Sequence, residues 1–378
     1  MKVFLLPLFW CSWYLNFSTR TLISPVLPII EDELAISHAL AGSIFSFMSV
    51  GYTFSLFLSG LLAPRIGYKK SIMLGFATLS VTLFSMKYAT TYHAVAAACL
   101  FIGIGAGIYL PSVIPLLTEV FVRGNWGKAI AVHDTAASFS ILSVPLLTAF
   151  ALRWFQWRTL FIIISGACLI AVIAVSAFAP DPRPDEGKKS RFSHLVRRTD
   201  FWIMAVLWTF AAASNLGLYN VIPLFLVKEK GLQLEVANTI FGVSRIGGFF
   251  VAMLAGFLAD RYGVKRILSL ALLATGLSTI GLAAAQPFPL LVAMLITQAT
   301  VGTAFFPVGL VALSKLTTLT ERSAFTGGTI AIGVVVGLGL TPALLGAVAD
   351  IWNFQIGIFV LGAFAALSCM LVSKLQEI

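Results

Sequence analysis

Two arginines, Arg20 and Arg245, lie inside long apolar stretches, where a charged side chain needs a reason. Arg20 is the only charged residue between Val3 and Ile30, a run long enough to cross the ~30 Å hydrocarbon core of a bilayer as a helix. A guanidinium at that depth costs at least ~2.5 kcal/mol to insert unless it meets a partner or a wet cavity. Because guanidinium binds carboxylate or phosphate oxygens through two parallel hydrogen bonds, the pair indicates anion binding.

A structural role is the alternative for each arginine. Either could instead pair permanently with Glu119, with Asp134 or with backbone carbonyls. Since ionisable groups inside membrane spans are functional by default, we favour a substrate contact for at least one arginine. Asp134 itself is a candidate proton carrier for ion coupling, and a structural pair with Arg123 or Lys128 is its alternative.

Other polar side chains on the apolar stretches are weaker substrate-binding candidates. Asn16 lies one turn before Arg20 on the same helical face, and Asn215 and Tyr219 are likewise four residues apart. Tyr109, in the sequence GIYLP, is a similar case. Each of these side chains could line a cavity or could equally form hydrogen bonds between helices.

The composition excludes a soluble globular domain. Apolar residues make up 59% of the chain and charged residues 11%, and the mean hydropathy is +0.97, values typical of a membrane protein. The four cysteines show no CxxC or Cys/His spacing, so neither a disulfide framework nor a metal site is expected. No Walker motif and no catalytic arrangement of side chains is found, so we expect neither an enzyme nor a cofactor.

Apolar segments separated by short polar ones predict an all-α membrane protein with twelve transmembrane helices. One longer polar segment, rich in charge and proline, reads as a linker between two halves of six helices. We therefore expect residues 1–179 and 201–378 to form two six-helix bundles, with a linker at 180–200. The predicted spans are 3–30, 38–63, 71–89, 94–122, 128–152, 158–179, 201–227, 235–259, 267–285, 288–314, 324–349 and 354–373.

The distribution of Lys and Arg predicts the orientation. Of the 25 basic residues, 18 fall on one side of the predicted membrane, 5 on the other and two inside spans. Cytoplasmic loops carry the excess of positive charge, so both termini and the linker are expected in the cytoplasm. This bias explains the net charge of +10 without a nucleic-acid partner. The first apolar run is expected to be a retained span rather than a cleaved signal peptide, in the plasma membrane and specifically a bacterial inner membrane.

The two halves also repeat. Residues 60–70 read GLLAPRIGYKK and residues 256–266 read GFLADRYGVKR, and Pro111 and Pro307 keep the same offset of 196 residues. An internal repeat in a membrane protein with many spans is typical of secondary transporters, whose two homologous halves alternate around a central site.

These repeated segments resemble the loop motif of the major facilitator superfamily, G-x-x-x-D-R/K-x-G-R/K-R/K. The second copy fits throughout, whereas the first has Pro64 where the acid is expected. The resemblance covers essentially the whole chain and implies the fold of two pseudo-symmetric six-helix bundles. It also implies that the motif residues control conformational gating: Gly60, Arg65 and Gly67 in the first copy, and Gly256, Asp260, Arg261 and Gly263 in the second.

Two further sequence similarities point to organic-anion branches of that family. The segment after Arg20 is similar to the first span of anion:cation symporters, D-R-x-x-L-S-x-x-x-P-x-I-x-x-E-L, and keeps five of its residues in register: Ser24, Pro28, Ile30, Glu33 and Leu34. Thr19 replaces the aspartate that the family links to proton coupling. Arg245, in GVSRIGG, is similar to the carboxylate-binding arginine of monocarboxylate and oxalate carriers.

The expected function is secondary active transport of a small organic anion, most simply a carboxylate, by alternating access. Arg20 and Arg245, from opposite halves, would clamp the anion, and H+ or Na+ symport or exchange would drive transport. The expected partners are this substrate, the coupling ion and membrane lipid, and the protein is expected to be a monomer. The alternatives are an exporter of amphipathic or drug-like compounds and a non-transporting receptor on the same fold.

Overall fold

The computed structural model describes residues 2–121, 126–180, 192–318 and 321–375, and its regular elements there are all helical. Two segments, Ala213–Gly217 and Val334–Leu340, are π-helical, and short 3₁₀ turns follow or precede longer helices. The α-helices are Lys2–Thr21 (α1), Ile23–Leu34 (α2), His38–Ile66 (α3), Tyr68–Ser85 (α4), Tyr92–Gly107 (α5), Tyr109–Val120 (α6), Trp126–Ala151 (α7), Trp157–Phe178 (α8), Thr199–Ala212 (α9), Leu218–Lys228 (α10), Leu234–Val243 (α11), Ile246–Tyr262 (α12), Val264–Ala284 (α13), Phe288–Val301 (α14), Phe305–Lys315 (α15), Arg322–Gly333 (α16), Thr341–Ile351 (α17) and Phe354–Ser368 (α18).

The helices confirm a membrane protein with many spans. In the part of the chain that the structure describes, eleven helical segments are long and apolar enough to cross a bilayer. They correspond to the second to twelfth predicted spans. The first predicted span, 3–30, consists of α1 and α2, which a turn at Leu22 separates.

The chain forms two compact units. One comprises Met1–Ile36 and Phe47–Gly187, and the other comprises Ser37–Ser46 and Lys188–Ile378. The first turns of α3 therefore pack with the second unit, which the sequence did not predict. The boundaries 1–179, 180–200 and 201–378 stay a prediction, because residues 181–191 of the linker lie outside the described residues.

The sequence repeat is also a repeat of helices. Helices α11, α13, α14 and α15 begin 196 residues after α3, α4, α5 and α6, respectively. The loop motif repeats down to its backbone: Gly67 and Gly263 have φ of +90° and +93°, a conformation open almost only to glycine. Each of these glycines ends one helix and begins the next, so the two copies of the motif share one turn.

Proline and glycine explain where the long helices are interrupted. Proline cannot donate a backbone hydrogen bond, and its ring crowds the carbonyl four residues earlier. Pro25 thus accounts for the turn at Leu22, and Pro111 and Pro307 for the breaks before α6 and α15. The break between α11 and α12 falls at Ser244 and Arg245, and two glycines, Gly247 and Gly248, follow in the first turn of α12. Both intramembrane arginines therefore lie within two residues of a helix interruption.

The glycine-rich run GIGAG is a packing surface. A Cβ atom built on Gly103 would lie far inside van der Waals contact with the Met48 carbonyl oxygen, 2.0 Å away. Helices α3 and α5 can approach so closely only because glycine has no side chain.

Candidate functional site

Arg20 lies at the end of α1 among aromatic rings of the first unit. Its guanidinium carbon is 4.2 Å from the ring centre of Phe17 and 4.7 Å from that of Tyr52. The indole of Trp13 is 6.0 Å away. Ring faces carry negative charge density and attract a cation, more strongly where water is excluded. The rings therefore support the positive charge without neutralising it.

Arg20 keeps unused hydrogen-bond donors. Its Nε and Nη2 atoms are buried and have no hydrogen-bond partner, and no ion pair joins it to an acid among the described residues. The side chain of Glu119, one of its predicted structural partners, lies outside the described residues. A buried donor without a partner costs about 1–3 kcal/mol, and more when it is charged. The vacant donors are thus available to an anion.

Arg245 has a similar environment in the second unit. It is 9% exposed, and its guanidinium carbon is 4.6 Å from the ring centre of Tyr219 and 5.8 Å from that of Phe241. Its Nε is buried and has no hydrogen-bond partner among the described residues. Among the residues that the structure describes, Arg245 also forms no ion pair.

The two arginine sites use the same pair of spans with the roles exchanged. In the first unit the arginine comes from the first span and its tyrosine, Tyr52, from the second. In the second unit the tyrosine, Tyr219, comes from the first span of that unit and the arginine from the second. Both units thus place a cation–aromatic pair between their first two spans, although neither the arginines nor the tyrosines correspond in the repeat.

Two buried asparagines accompany the arginines. Asn16 donates to the carbonyl of Ala106 over 3.2 Å, and its Oδ1 has no partner in the part of the chain that the structure describes. In the second unit the Nδ2 of Asn215 likewise has no partner among the described residues and faces Gly302, where an added Cβ would lie 2.7 Å from it. Asn215 lies in the π-helical turn between α9 and α10, and such turns are frequent at functional sites.

Tyr109 is fully enclosed in the first unit. Its hydroxyl donates to the carbonyl of Phe9 over 2.9 Å and lies 3.3 Å from the Nε2 of His133. Its ring stacks on Trp13 with a centre distance of 5.4 Å. The structure therefore shows Tyr109 in contacts between helices, one of the two roles expected from the sequence.

Asp134 contacts a tryptophan. The Nε1 of Trp13 donates to its carboxylate over 3.3 Å, and the same indole stacks on His133 at 5.6 Å. The side chains of Arg123 and Lys128, the predicted structural partners of Asp134, lie outside the described residues.

Glu33, part of the resemblance to the symporter motif, has a structural environment. Its carboxylate forms an ion pair with Arg158 at 2.6 Å and accepts a hydrogen bond from Trp157 over 2.8 Å. Arg158 also donates to the carbonyl of Ala89. Partial burial favours the neutral acid, but these donors outweigh it and hold the pKa of Glu33 below its usual value. Glu33 therefore ties α2 to the start of α8.

The residues predicted to control gating are described in part by the structure. Arg65, Asp260 and Arg261 are exposed, and Arg261 packs over Tyr262 at 5.4 Å. Asp260 has no hydrogen bond or ion pair to any residue that the structure describes. The helical position of Gly256 is open, since nothing lies within 4 Å of an added Cβ. Details around Gly60 and the side chain of Pro64 lie outside the described residues.

Sequence reasoning missed the aromatic side chains around the arginines. Trp13, Phe17 and Arg20 are spaced at three and four residues and so share one helical face, a signal that was available. Tyr52, from α3, gave no local signal, because only the packing of α3 against the first span brings it to the arginine.

The chain matches the sequence profile of the Major Facilitator Superfamily over residues 9–254 and 221–376. It belongs to that superfamily. Membership confirms the fold class expected from the repeat and the loop motif, and it places the chain in a family of transporters rather than enzymes.

The curated relatives are distant, and two of the three described next have a stated substrate. The MFS-type transporter YceJ of Bacillus subtilis (strain 168) is 30% identical over 173 residues, which cover 44% of this chain and 42% of YceJ. The hexuronate transporter of the same organism is 24% identical, with coverage of 65% and 61%. The gallate transporter of Pseudomonas putida is 22% identical, with coverage of 68% and 66%. The chain thus spans less than two thirds of the length of the first two.

Solved structures agree with the fold over the whole chain. A bacterial homologue of the human lysosomal transporter Spinster superposes with a TM-score of 0.85 at 15% identity, covering 99% of this chain and 97% of the homologue. The D-xylose–proton symporter superposes with a TM-score of 0.84 at 15% identity, covering 100% and 99%. At such identities the likeness concerns the fold alone.

Proposed function

We propose that the protein is a secondary active carrier of a small organic anion, in which Arg20 and Arg245 supply anion-binding charges. The observation that carries this proposal is the state of the two guanidinium groups. Each is held by aromatic rings, has at least one buried N–H without a partner, and is paired with no described acid. A carboxylate oxygen would satisfy these donors with charge-assisted hydrogen bonds.

The unsatisfied groups favour a polar ligand over an apolar drug. Besides the arginines, Asn16 and Asn215 each have one buried polar atom without a partner. An amphipathic drug would leave these atoms unpaired, whereas a hydroxylated or small carboxylate could reach them. Hexuronate and gallate, the substrates named for two relatives, are hydroxylated carboxylates.

The interrupted helices support the same role. In secondary transporters, broken transmembrane helices expose backbone groups next to the substrate. Arg20 lies two residues before the turn at Leu22, and Arg245 lies in the turn between α11 and α12. Each arginine therefore lies beside a helix interruption of the kind that borders substrate sites in such transporters.

Asp134 is the candidate for proton coupling. It is the acid that contacts the aromatic group around Arg20, through Trp13. Protonation of Asp134 would remove a negative charge from the surroundings of Arg20 and so favour an anion there.

We also propose that both termini lie in the cytoplasm, because the excess of Lys and Arg falls on that side of the membrane.

A thermal-shift screen of the purified protein tests the proposal. The ligands are small carboxylates, including gallate and D-glucuronate, together with inorganic phosphate, neutral sugars and amphipathic cations. A ligand that binds only the folded state stabilises it by about 2.7 kcal/mol at 100 times its Kd. We expect carboxylates to raise the melting temperature and neutral sugars to leave it unchanged.

Variants and counterflow define the function further. Arg20→Gln and Arg245→Gln should each remove the carboxylate effect, whereas Arg153→Gln, the same change at an exposed arginine, should keep it. Exchange of labelled carboxylate in proteoliposomes separates a carrier from a receptor, which would bind without exchange. Stabilisation by amphipathic cations in place of carboxylates would contradict the proposal.

A further inference from the structure

Trp13 is the side chain that joins the candidate proton site to the candidate anion site. Its Nε1 donates to the carboxylate of Asp134 over 3.3 Å. The same indole lies 6.0 Å from the guanidinium of Arg20, at the outer limit of a cation–aromatic contact. Arg20 and Asp134 form no ion pair with each other. One rigid ring therefore contacts both groups.

The surroundings restrict how this ring can move. Trp13 is 3% exposed and stacks on Tyr109 and His133 with interplanar angles of 9° and 14°. Its edge meets Phe17, which itself lies against Arg20. Parallel stacking permits sliding within the ring plane more readily than tilting. A change in the strength of the hydrogen bond from Nε1 to Asp134 would therefore shift the indole and, with it, the rings that contact Arg20.

We propose that Trp13 is a positioning residue that couples the protonation of Asp134 to anion binding at Arg20. The hydrogen bond from Nε1 is charge-assisted while Asp134 is ionised and weakens when a proton neutralises the carboxylate. The released indole changes the aromatic support of Arg20 and thereby the aim of its free donors. This inference rests on the proposed function and names the side chain that performs the coupling.

Other titratable groups on the surrounding helices could also sense pH. His133 is adjacent to Asp134, stacks on Trp13 and approaches the hydroxyl of Tyr109, so it needs its own variant. The charge of Arg20 does not change in the working range. The remaining titratable side chains on the helices packed against α7 are Lys2, Cys11 and Tyr14 on α1, Glu31, Asp32 and Glu33 on α2, and Glu119 on α6; the side chains of Lys2 and Glu119 lie outside the described residues.

The test measures Kd for gallate and for D-glucuronate by isothermal titration at about pH 6 and about pH 8. Coupled sites change each other's affinity by roughly 5- to 150-fold, so we expect the wild-type Kd to rise at least about fivefold at the higher pH. Asp134→Asn should make the ratio about one. Trp13→Phe, which keeps the ring and removes the N–H, should do the same while it still binds the anion.

Trp10 offers a matched control. Its Nε1 donates to the hydroxyl of Thr135 over 2.9 Å, so Trp10→Phe removes an indole N–H of the same helix pair without touching Asp134. Trp10→Phe and His133→Gln should both keep the wild-type ratio. A wild-type ratio in Trp13→Phe would overturn the inference, because the charge of Asp134 would then affect anion binding at Arg20 directly, without the indole N–H. Loss of the ratio in His133→Gln would overturn it in favour of the histidine.

A second measurement needs no ligand and no change at Trp13. In protein labelled with ¹⁵N-tryptophan, one indole N–H signal should shift with pH in the wild type and in Trp10→Phe but stay fixed in Asp134→Asn. An indole spectrum that does not respond to pH would reject the coupling even if carboxylates bind. Conversely, a responsive signal in a protein that binds neither carboxylate would uphold the Trp13–Asp134 link and reject the proposed anion function.

Discussion

Replacing Arg20 by glutamine should weaken anion binding by about 10- to 100-fold. The substitution removes the positive charge and the fork of donors, and a hydrogen bond to a charged group contributes about 1.5–3 kcal/mol. Each 1.4 kcal/mol corresponds to about a tenfold change in Kd. Lysine at this position should recover only part of the loss, because it restores the charge without the bidentate geometry.

The same substitution should leave the fold nearly as stable as before. Loss of the contacts to Phe17 and Tyr52 costs about 0.5–2 kcal/mol each. Removing a charge from the membrane interior returns at least about 2.5 kcal/mol on insertion scales. Glutamine also has a helix propensity close to that of arginine. These contributions oppose one another, so the change in unfolding free energy should stay within about 2 kcal/mol.

Binding and stability are measured on the same preparations. Kd is determined for gallate and D-glucuronate in the wild type, Arg20→Gln, Arg20→Lys and Arg153→Gln, and the melting temperature without ligand reports stability. A structural role for Arg20 predicts the opposite pattern, a poorly folded glutamine variant with near-normal Kd in the folded fraction. Wild-type affinity in a well-folded Arg20→Gln protein would refute the reasoning for this arginine.

Three other substitutions test separate parts of the structure. Asp134→Asn should abolish accumulation of labelled substrate against a gradient in proteoliposomes but spare counterflow exchange, since exchange needs no net change in protonation; loss of both activities would make Asp134 structural. Because the pKa of Glu33 is lowered in the folded state, its ion pair stabilises the protein above the unfolded-state pKa of about 4.3, and this stability is lost as pH falls through the lower folded pKa. Glu33→Gln should therefore reduce the melting temperature near neutral pH and flatten its decline in acid, and an unchanged acid profile would contradict the assignment. Gly263→Ala should lower the unfolding free energy by about 1–3 kcal/mol in chemical denaturation, because its φ is +93°, whereas the helical control Gly256→Ala should be neutral or slightly stabilising; equal effects would remove the special role of the turn.

Several features of the fold could be predicted from local sequence. The hydrophobic spans follow from segment length and composition, and prolines mark the interruptions before α6 and α15 because the effect of proline on a helix is local. The repeated loop sequence predicted that both halves contain the same local structure. The matching positive φ of Gly67 and Gly263 confirms that both copies form the same turn. The grouping of Ser37–Ser46 with the second unit has no local signal, because it depends on contacts with residues about 300 positions away, such as Asp350.

The sequence by itself predicted that two arginines lie within membrane spans, since insertion cost and charge can be read from single segments. Only the tertiary structure decided what surrounds them. Tyr52 reaches Arg20 from another helix, and Trp13 reaches Asp134 across more than 100 residues of chain. Contacts of that range are set by how helices pack, and a single sequence holds no periodic signal for them. The residue types therefore indicated which chemistry was available, whereas the contact through Trp13 between Arg20 and Asp134 could be found only from the fold.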